Sequence, residues 1–299
     1  MRGSADLREV WMIGWRRKLV RLALLATWAV SAAPKASAET IALSVSPPLI
    51  EMSLAQGGDR SLEVTVTNDG DRPFRAKAVV VDLTLNRNGD PLPGPSSSSR
   101  WSVAPWVALE PTDIEIRPGE QKKVRCRIRV PRGETGGRYG ALLFAAARPV
   151  DLAGSGVKLE TRTGTVLMLT VARTERRRAQ VAELDVRSGE GPEVAIAAAL
   201  RNNGNVHLRA AGEAVIRDGN NRVVARMKLD GGTGAVLPDG VRDFGARWDA
   251  RRAKPGSYRL EVRFRASGLP AVSRALEFAL PLVAATTEAL PGPEGRHGG

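Results

Sequence analysis

An all-β protein, built as two β-sandwich domains in tandem behind an export signal, is the architecture that this chain of 299 residues encodes. Three observations carry that reading. Apolar and charged residues alternate with period 2 in segment after segment, the pattern of strands with one wet face. Turn-forming clusters such as Asn68-Asp69-Gly70-Asp71 and Asp218-Gly219-Asn220-Asn221 recur between them, and helical periodicity is almost absent. A similar succession of parts is also met twice along the chain.

Residues 1–38 read as the export signal. A basic region (Arg16, Arg17, Lys18, Arg21) precedes an apolar run from Leu22 to Ala33, and Ala36-Ser37-Ala38 supplies an A-x-A cleavage site, so the mature chain is expected to start at Glu39. The run is about 12 residues, short of the roughly 20 that a spanning helix needs. No later segment is apolar for eighteen residues, so no membrane span is expected in the mature chain, and its place is the periplasm or cell envelope.

The first sandwich is expected over residues 39–174. Ile41, Leu43 and Val45 alternate, Ser46-Pro47-Pro48 interrupts, and Leu49 to Met52 resumes, as where an edge strand passes from one sheet to another. Leu62, Val64 and Val66 form the next strand and Phe74 to Leu85 another, which ends at the turn Asn86 to Asp90. Pro91 to Ser99 reads as a surface loop. Trp106 to Leu109 follows, then Ile114 to Ile116, whose Pro118-Gly119-Glu120 exit predicts a tight turn into an antiparallel neighbour. That neighbour, Val124 to Val130, sends Val124, Cys126, Ile128 and Val130 inward and Arg125, Arg127 and Arg129 to solvent. Tyr139 to Ala147 and the continuous apolar run Val166 to Val171 complete the domain.

The second sandwich is expected over 175–282, after a polar boundary containing Arg176-Arg177-Arg178. Its strands are Val181 to Val186, Val194 to Arg201, Ala211 to Arg217, Val223 to Leu229, Arg242 to Asp249, Gly256 to Ala266 and Ala271 to Leu280. In the sixth, Tyr258, Leu260, Val262 and Phe264 alternate with Arg259, Glu261, Arg263 and Arg265. Both halves hold a strand ending in an N-x-G turn (Gly70, Gly204) and a later Pro-Gly before a strand (Pro118-Gly119, Pro255-Gly256), so two copies of one immunoglobulin-like architecture are expected. Residues 283–299, rich in Ala, Thr, Pro and Gly, read as a disordered tail.

Composition narrows the function. The formal charge is +13, and removal of 1–38, with its seven basic and two acidic residues, leaves +8. Such a surplus can favour anionic partners; export and the absence of aromatic–basic interleaving argue against nucleic acid. The single cysteine, Cys126, is expected to be a buried structural thiol. No catalytic residues, metal site or cofactor are predicted: the two histidines are His297 in the tail and His207, expected at the surface, and G-x-S-x-G, H-E-x-x-H and C-x-x-C are all missing. Asp82, Asn86, Asn88 and Asp90 hint at a calcium loop but read better as a hairpin turn. Trp101 and Trp106 could stack on sugars, although packing between sheets is the expected role.

The order of motifs resembles the PapD-like periplasmic pilus and fimbrial chaperone superfamily, including two-domain surface proteins of the WxL-interacting type. The residues that carry it are the Pro break at Ser46-Pro47-Pro48, L-x-V-x-V-T-N-x-G-D at Leu62 to Asp71, W-V-x-L-x-P at Trp106 to Pro111, P-G-E at Pro118 to Glu120, Val130-Pro131, and G-G-x-Y at Gly136 to Tyr139. The resemblance implies a non-catalytic exported chaperone or scaffold that binds an exported partner, pilin-like or of the surface, by β-augmentation. It implies that the late strand of the first domain, Val166, Leu167, Met168, Leu169 and Val171, does so. A strand buried on both faces would give the same apolar run. Pilus chaperones also anchor a partner's carboxylate with a basic pair. Here no basic residue lies between Ile41 and Ile50, Gly164-Thr165 stands at the second position, and Arg162 is the nearest substitute. The alternative is an envelope module that binds an anionic wall polymer or glycan through the rows Arg125, Arg127, Arg129 and Arg259, Arg263, Arg265.

Overall fold

Alternation dictates the architecture: each half-polar strand has one face that must leave water, and two sheets facing each other provide the cover. In the computed structural model the residues described are 42–149 and 158–282, the side chains of 147–149 and 158–160 excepted. The export signal, its cleavage site and the tail 283–299 lie outside them. Among the described residues no helix is long and apolar enough to cross a membrane.

The first ten strands are β1 (Leu43–Ser46), β2 (Leu49–Leu54), β3 (Asp59–Asn68), β4 (Phe74–Leu85), β5 (Pro91–Gly94), β6 (Val107–Glu110), β7 (Asp113–Ile116), β8 (Gln121–Arg129), β9 (Gly137–Pro149) and β10 (Lys158–Val171). One sheet runs β1-β3-β8-β6; the other runs β2-β10-β9-β4-β5, with β7 also on β4. The Pro break does divide the first edge strand between sheets: β1 pairs with β3, and β2 runs parallel to β10. Val64, Val66, Val124, Cys126 and Ile128 from the first sheet meet Ile114, Ile116, Leu142, Phe144, Leu167 and Leu169 from the second in one core.

Nine strands form the second sandwich: β11 (Ala179–Ser188), β12 (Glu193–Asn202), β13 (Leu208–Arg209), β14 (Ala211–Asp218), β15 (Val223–Leu229), β16 (Ala235–Val236), β17 (Val241–Asp249), β18 (Gly256–Ala266) and β19 (Leu269–Leu280). A β11-β12-β17 sheet faces β15-β14-β18-β19, and the two-residue strands β13 and β16 pair beside them. Val194, Ile196, Leu200, Phe244 and Trp248 pack against Ile216, Tyr258, Leu260, Val262 and Phe264. Phe244 and Phe264 meet edge to face at 4.8 Å between centroids.

Three expectations change. Pro118-Gly119-Glu120 does not close a hairpin, because β7 pairs with β4 and β8 with β3 and β6, so the turn crosses between the sheets. Ile116 and Val124 point into the same core from opposite sides, a pattern that alternation cannot distinguish from a hairpin. The stretch Pro91 to Ser99 is not all loop: it contains β5 and is held by Asp82, whose buried carboxylate accepts hydrogen bonds from the amides of Ser97, Ser98 and Ser99 at 2.7–3.0 Å, and from the hydroxyls of Ser98 and Ser102. Burial alone would raise the pKa of Asp82, but the Ser102 and Ser98 hydroxyls outweigh it and hold it below the usual range. The internal repeat also lies elsewhere than at Pro255-Gly256. Asn68 exchanges main-chain bonds with Gly119 and Glu120, and Asn202 does the same with Asp239 and Gly240, so the counterpart of Pro118-Gly119-Glu120 is Pro238-Asp239-Gly240.

Candidate functional site

Strand β10 is fourteen residues long and its two edges differ along its length. One edge pairs with β9 from Lys158 to Thr170. The other pairs with β2 only from Val166 to Val171. The Val166 amide donates to the Pro48 carbonyl at 3.0 Å and the Val171 amide to Gly136 at 2.9 Å, so amides at even positions face the β2 side and those at odd positions face β9. Upstream of Val166 the β2-side edge has no strand partner among the described residues, and by alternation the amides of Glu160 and Gly164 point along it.

The run expected to bind a partner lies on the half of β10 that is paired on both sides. Val166, Leu167, Met168, Leu169 and Val171 lie between two strands and have no main-chain edge to offer. Leu167, Leu169 and Val171 fill the first core. Met168 and Val166 turn the other way, into a small cluster with Leu83, Tyr139 and Leu237, the last from the second sandwich. The run is continuously apolar because both faces are covered within the protein. The open edge lies on the upstream half, Lys158 to Gly164, where the sequence alternates Leu159, Thr161 and Thr163 with Glu160 and Arg162. Arg162 is exposed there. At the position where the resemblance implies a basic residue, Thr165 is fully buried and its hydroxyl donates to the Pro47 carbonyl at 2.7 Å. A satisfied hydroxyl thus tethers the Pro break where pilus chaperones carry a basic residue.

The residues joining the sandwiches carry little signal in the sequence. Tyr139 is buried, and its phenol oxygen accepts the His207 amide at 2.6 Å. Burial pushes its pKa up, and the bond from His207 only partly offsets this. His207 is no surface residue: its side chain is 9% exposed, with Nε2 at 2.8 Å from Glu51 Oε1 on β2. Arg209 donates to the other Glu51 oxygen at 2.5 Å. Burial tends to raise the pKa of Glu51, but the bonds from Arg209 and His207 win and hold it below the ordinary value. Elsewhere on the junction Arg87, at the β4–β5 turn, donates to Asp243 and to Glu183 through both forks of its guanidinium, at 2.7–3.0 Å. Asp239 accepts from the Trp101 indole at 2.8 Å and from Arg100 at 2.5 Å. Trp101 thus belongs to the junction, whereas Trp106 packs in the first core beneath the Arg138 guanidinium, 4.7 Å from its ring centroid.

The turn Asn86 to Asp90 is a β4–β5 hairpin, closed by the Asn86 and Asp90 side chains. Among the described residues no group of three metal-ligating side chains comes together. Cys126 is fully buried, and burial pushes its thiol up to about 11.

Both arginine rows are exposed on their strands, and both are interleaved with acids. Arg125 stands in register between Glu63 and Glu110, and Arg127 and Arg129 both bond Asp59. On the second sandwich Arg259 pairs with Glu277, and Arg263 lies opposite Glu213, itself bonded to Arg226. Local neutralisation of this kind gives a solvated mixed-charge surface rather than a continuous anion track.

No family model and no curated protein matches the chain. Among solved structures it is similar to the Class 5 fimbriae chaperone CfaA, at 13% identity over 81% of this chain and 100% of that one, with a TM-score of 0.41. It is also similar to a chain of a chaperone–tip adhesin complex of CFA/I fimbriae biogenesis, at 12% identity over 78% and 98%, TM-score 0.42. A third is the CsuC–CsuE chaperone–tip subunit pre-assembly complex of Csu pili from Acinetobacter baumannii, at 14% identity over 79% and 97%, TM-score 0.39. Scores of this size add nothing to the argument for the fold, which rests on the strand pairing itself: two tandem immunoglobulin-like β-sandwiches.

Proposed function

We propose that this protein is an exported, non-catalytic chaperone or scaffold that binds another exported protein, pilin-like or of the cell surface, by strand addition. The observation that supports it most is the split pairing of β10: one long strand is held along its whole length by β9, and upstream of Val166 its other edge has no strand partner among the described residues. An incoming strand there would continue the line of β2, gaining main-chain hydrogen bonds from even-numbered residues. The ordered motifs that resemble PapD-like proteins point the same way. The binding segment is Lys158 to Gly164, and the apolar run downstream anchors it.

The test uses the tagged mature protein, cross-linked in its native envelope. Glu160→Pro removes one amide from the open edge and leaves the β9 ladder untouched, because proline is tolerated where the amide faces outward on an edge. Glu160→Ala keeps that amide. Capture of one exported protein by the unaltered chain and by Glu160→Ala, with loss in Glu160→Pro, is the expected result. Capture of no exported protein, or equal capture by both variants, overturns the proposal.

A further inference from the structure

The far end of the second sandwich holds a cavity of about 960 Å³ between the β14–β15 turn and the β17–β18 connection. It is independent of β10. Arg222, on the first of these loops, and Arg252 and Lys254, on the second, line it. Among the described residues their side chains make no hydrogen bond or ion pair, whereas on the strands Arg127, Arg129 and Arg259 each reach a carboxylate. The two carboxylates at the rim are already engaged. Asp218 accepts the amides of Asn220 and Arg222 at 2.9 Å, and Asp249 is bonded by Arg251 at 2.7–3.0 Å. Cations therefore converge on a concave site with little local neutralisation.

The rest of the lining is specific too. Trp248 and Tyr258, edge to face at 5.6 Å between centroids, are core residues, 8% and 6% exposed, that also line the cavity. The Asn220 side-chain amide and the Ser257 hydroxyl also line it and, among the described residues, make no hydrogen bond, so both stay open to a ligand. Apolar ring edges, neutral polar groups and three unpaired cations together match one ligand chemistry: a short acidic oligosaccharide. Its C–H faces meet the rings, its hydroxyls the amide and hydroxyl, and its carboxylates the guanidinium and ammonium groups. A flat anionic membrane would be met by cations on a convex face, whereas these ring a cavity near the top of the roughly 300–1,000 Å³ range of ligand pockets.

We infer that this distal cavity is a binding site for an acidic oligosaccharide, through Arg222, Arg252 and Lys254. The probe is tetragalacturonate, titrated calorimetrically into the mature protein in low-salt buffer, with maltotetraose as the neutral counterpart. Binding of the acidic probe alone is expected. Replacing Arg222, Arg252 and Lys254 together by serine, all on surface loops, should weaken it more than about tenfold, since the charged hydrogen bonds to the carboxylates are lost. Replacing Arg259, Arg263 and Arg265 by serine should change it less than about twofold, because none of the three lines the cavity. Ser257→Tyr puts a ring into the cavity without altering charge and should also weaken binding. Equal losses in the two serine triples, full binding by Ser257→Tyr, or binding of phosphatidylglycerol vesicles without tetragalacturonate each overturns the inference. Partner capture through β10 is expected to survive all of these substitutions, so failure here is distinguishable from failure there.

Discussion

Asn68→Ala and Asn202→Ala should each destabilise the protein by about 3 kcal/mol, and by similar amounts. Asn68 is 1% exposed and Asn202 fully buried. Each amide nitrogen donates to two carbonyls: Arg72 and Ile116 at 2.7 and 3.0 Å in the first sandwich, Val206 and Val236 at 2.9 and 2.8 Å in the second. Each amide oxygen accepts the amide of a glycine two residues on, Gly70 or Gly204, at 2.9 Å. Alanine therefore removes three hydrogen bonds and leaves buried groups unsatisfied, at about 1 kcal/mol per bond. For a chain of this size, that is a fall in Tm of about 6–12 °C. Urea unfolding followed by tryptophan fluorescence is the assay, since Trp106 lies in the first core and Trp248 in the second. A loss under about 1 kcal/mol in either variant would refute the view that these asparagines tie each sandwich's turns together, as would a large effect in one with none in the other.

Arg242 is 4% exposed, its Nε lacks a partner, and burial lowers its pKa. Arg242→Met should therefore cost less than about 1 kcal/mol or stabilise, because an apolar stem needs no desolvation; a loss above about 3 kcal/mol in urea would contradict this. Gly89→Ala should cost about 1–3 kcal/mol, since the new Cβ would fall 1.2 Å from Arg242 Nη1 at a backbone φ of +82°, and the loss should shrink when Arg242→Met is present. Because the folded-state pKa of Glu51 is lowered, its ion cluster adds stability that is fully present above the ordinary value of 4.5 and lost as pH falls through the folded value. Glu51→Gln should accordingly flatten the stability curve below about pH 5, which chemical unfolding across pH would reveal. Cys126 should stay unmodified by a thiol reagent at pH 8 until the protein is unfolded, since burial both blocks access and raises its pKa to about 11.

Half-buried strands were legible in the sequence because alternation reports directly on a face that meets water. Val124 to Val130 and Tyr258 to Arg265 read the same way in both descriptions. Val166 to Val171 was not legible in the same sense. A run buried on both faces looks identical whether its second cover is a partner protein or, as here, Tyr139 and Leu237 of the same chain. The upstream half did carry a signal, since the return of polar residues at Glu160, Thr161, Arg162 and Thr163 marks where that cover ends. Sheet membership was hidden for a related reason: the choice between hairpin and crossing at Pro118-Gly119-Glu120 depends on Asn68, whose bonds reach across some fifty residues of chain.

The junction was hidden because it is built where the repeat departs from itself. Both sandwiches place a positive-φ residue after the turn proline, Gly119 at +73° and Asp239 at +63°. Glycine adopts that conformation freely, while aspartate does so at some cost. At Asp239 the cost is set against a side chain that glycine lacks, whose carboxylate holds the Trp101 indole and Arg100 of the first sandwich. Burial acts to raise the pKa of Asp239, and the bonds from Arg100 and Trp101 overcome it, so it stays ionised in the role. His207 follows the same logic, four residues beyond the turn glycine's neighbour Asn203, in a segment that reads as loop because its partners, Glu51 and Tyr139, belong to the other domain. A local pattern registers the fold of each copy; the residues that bind the copies together are the ones that break the pattern, and only the assembled structure shows what each exception is for.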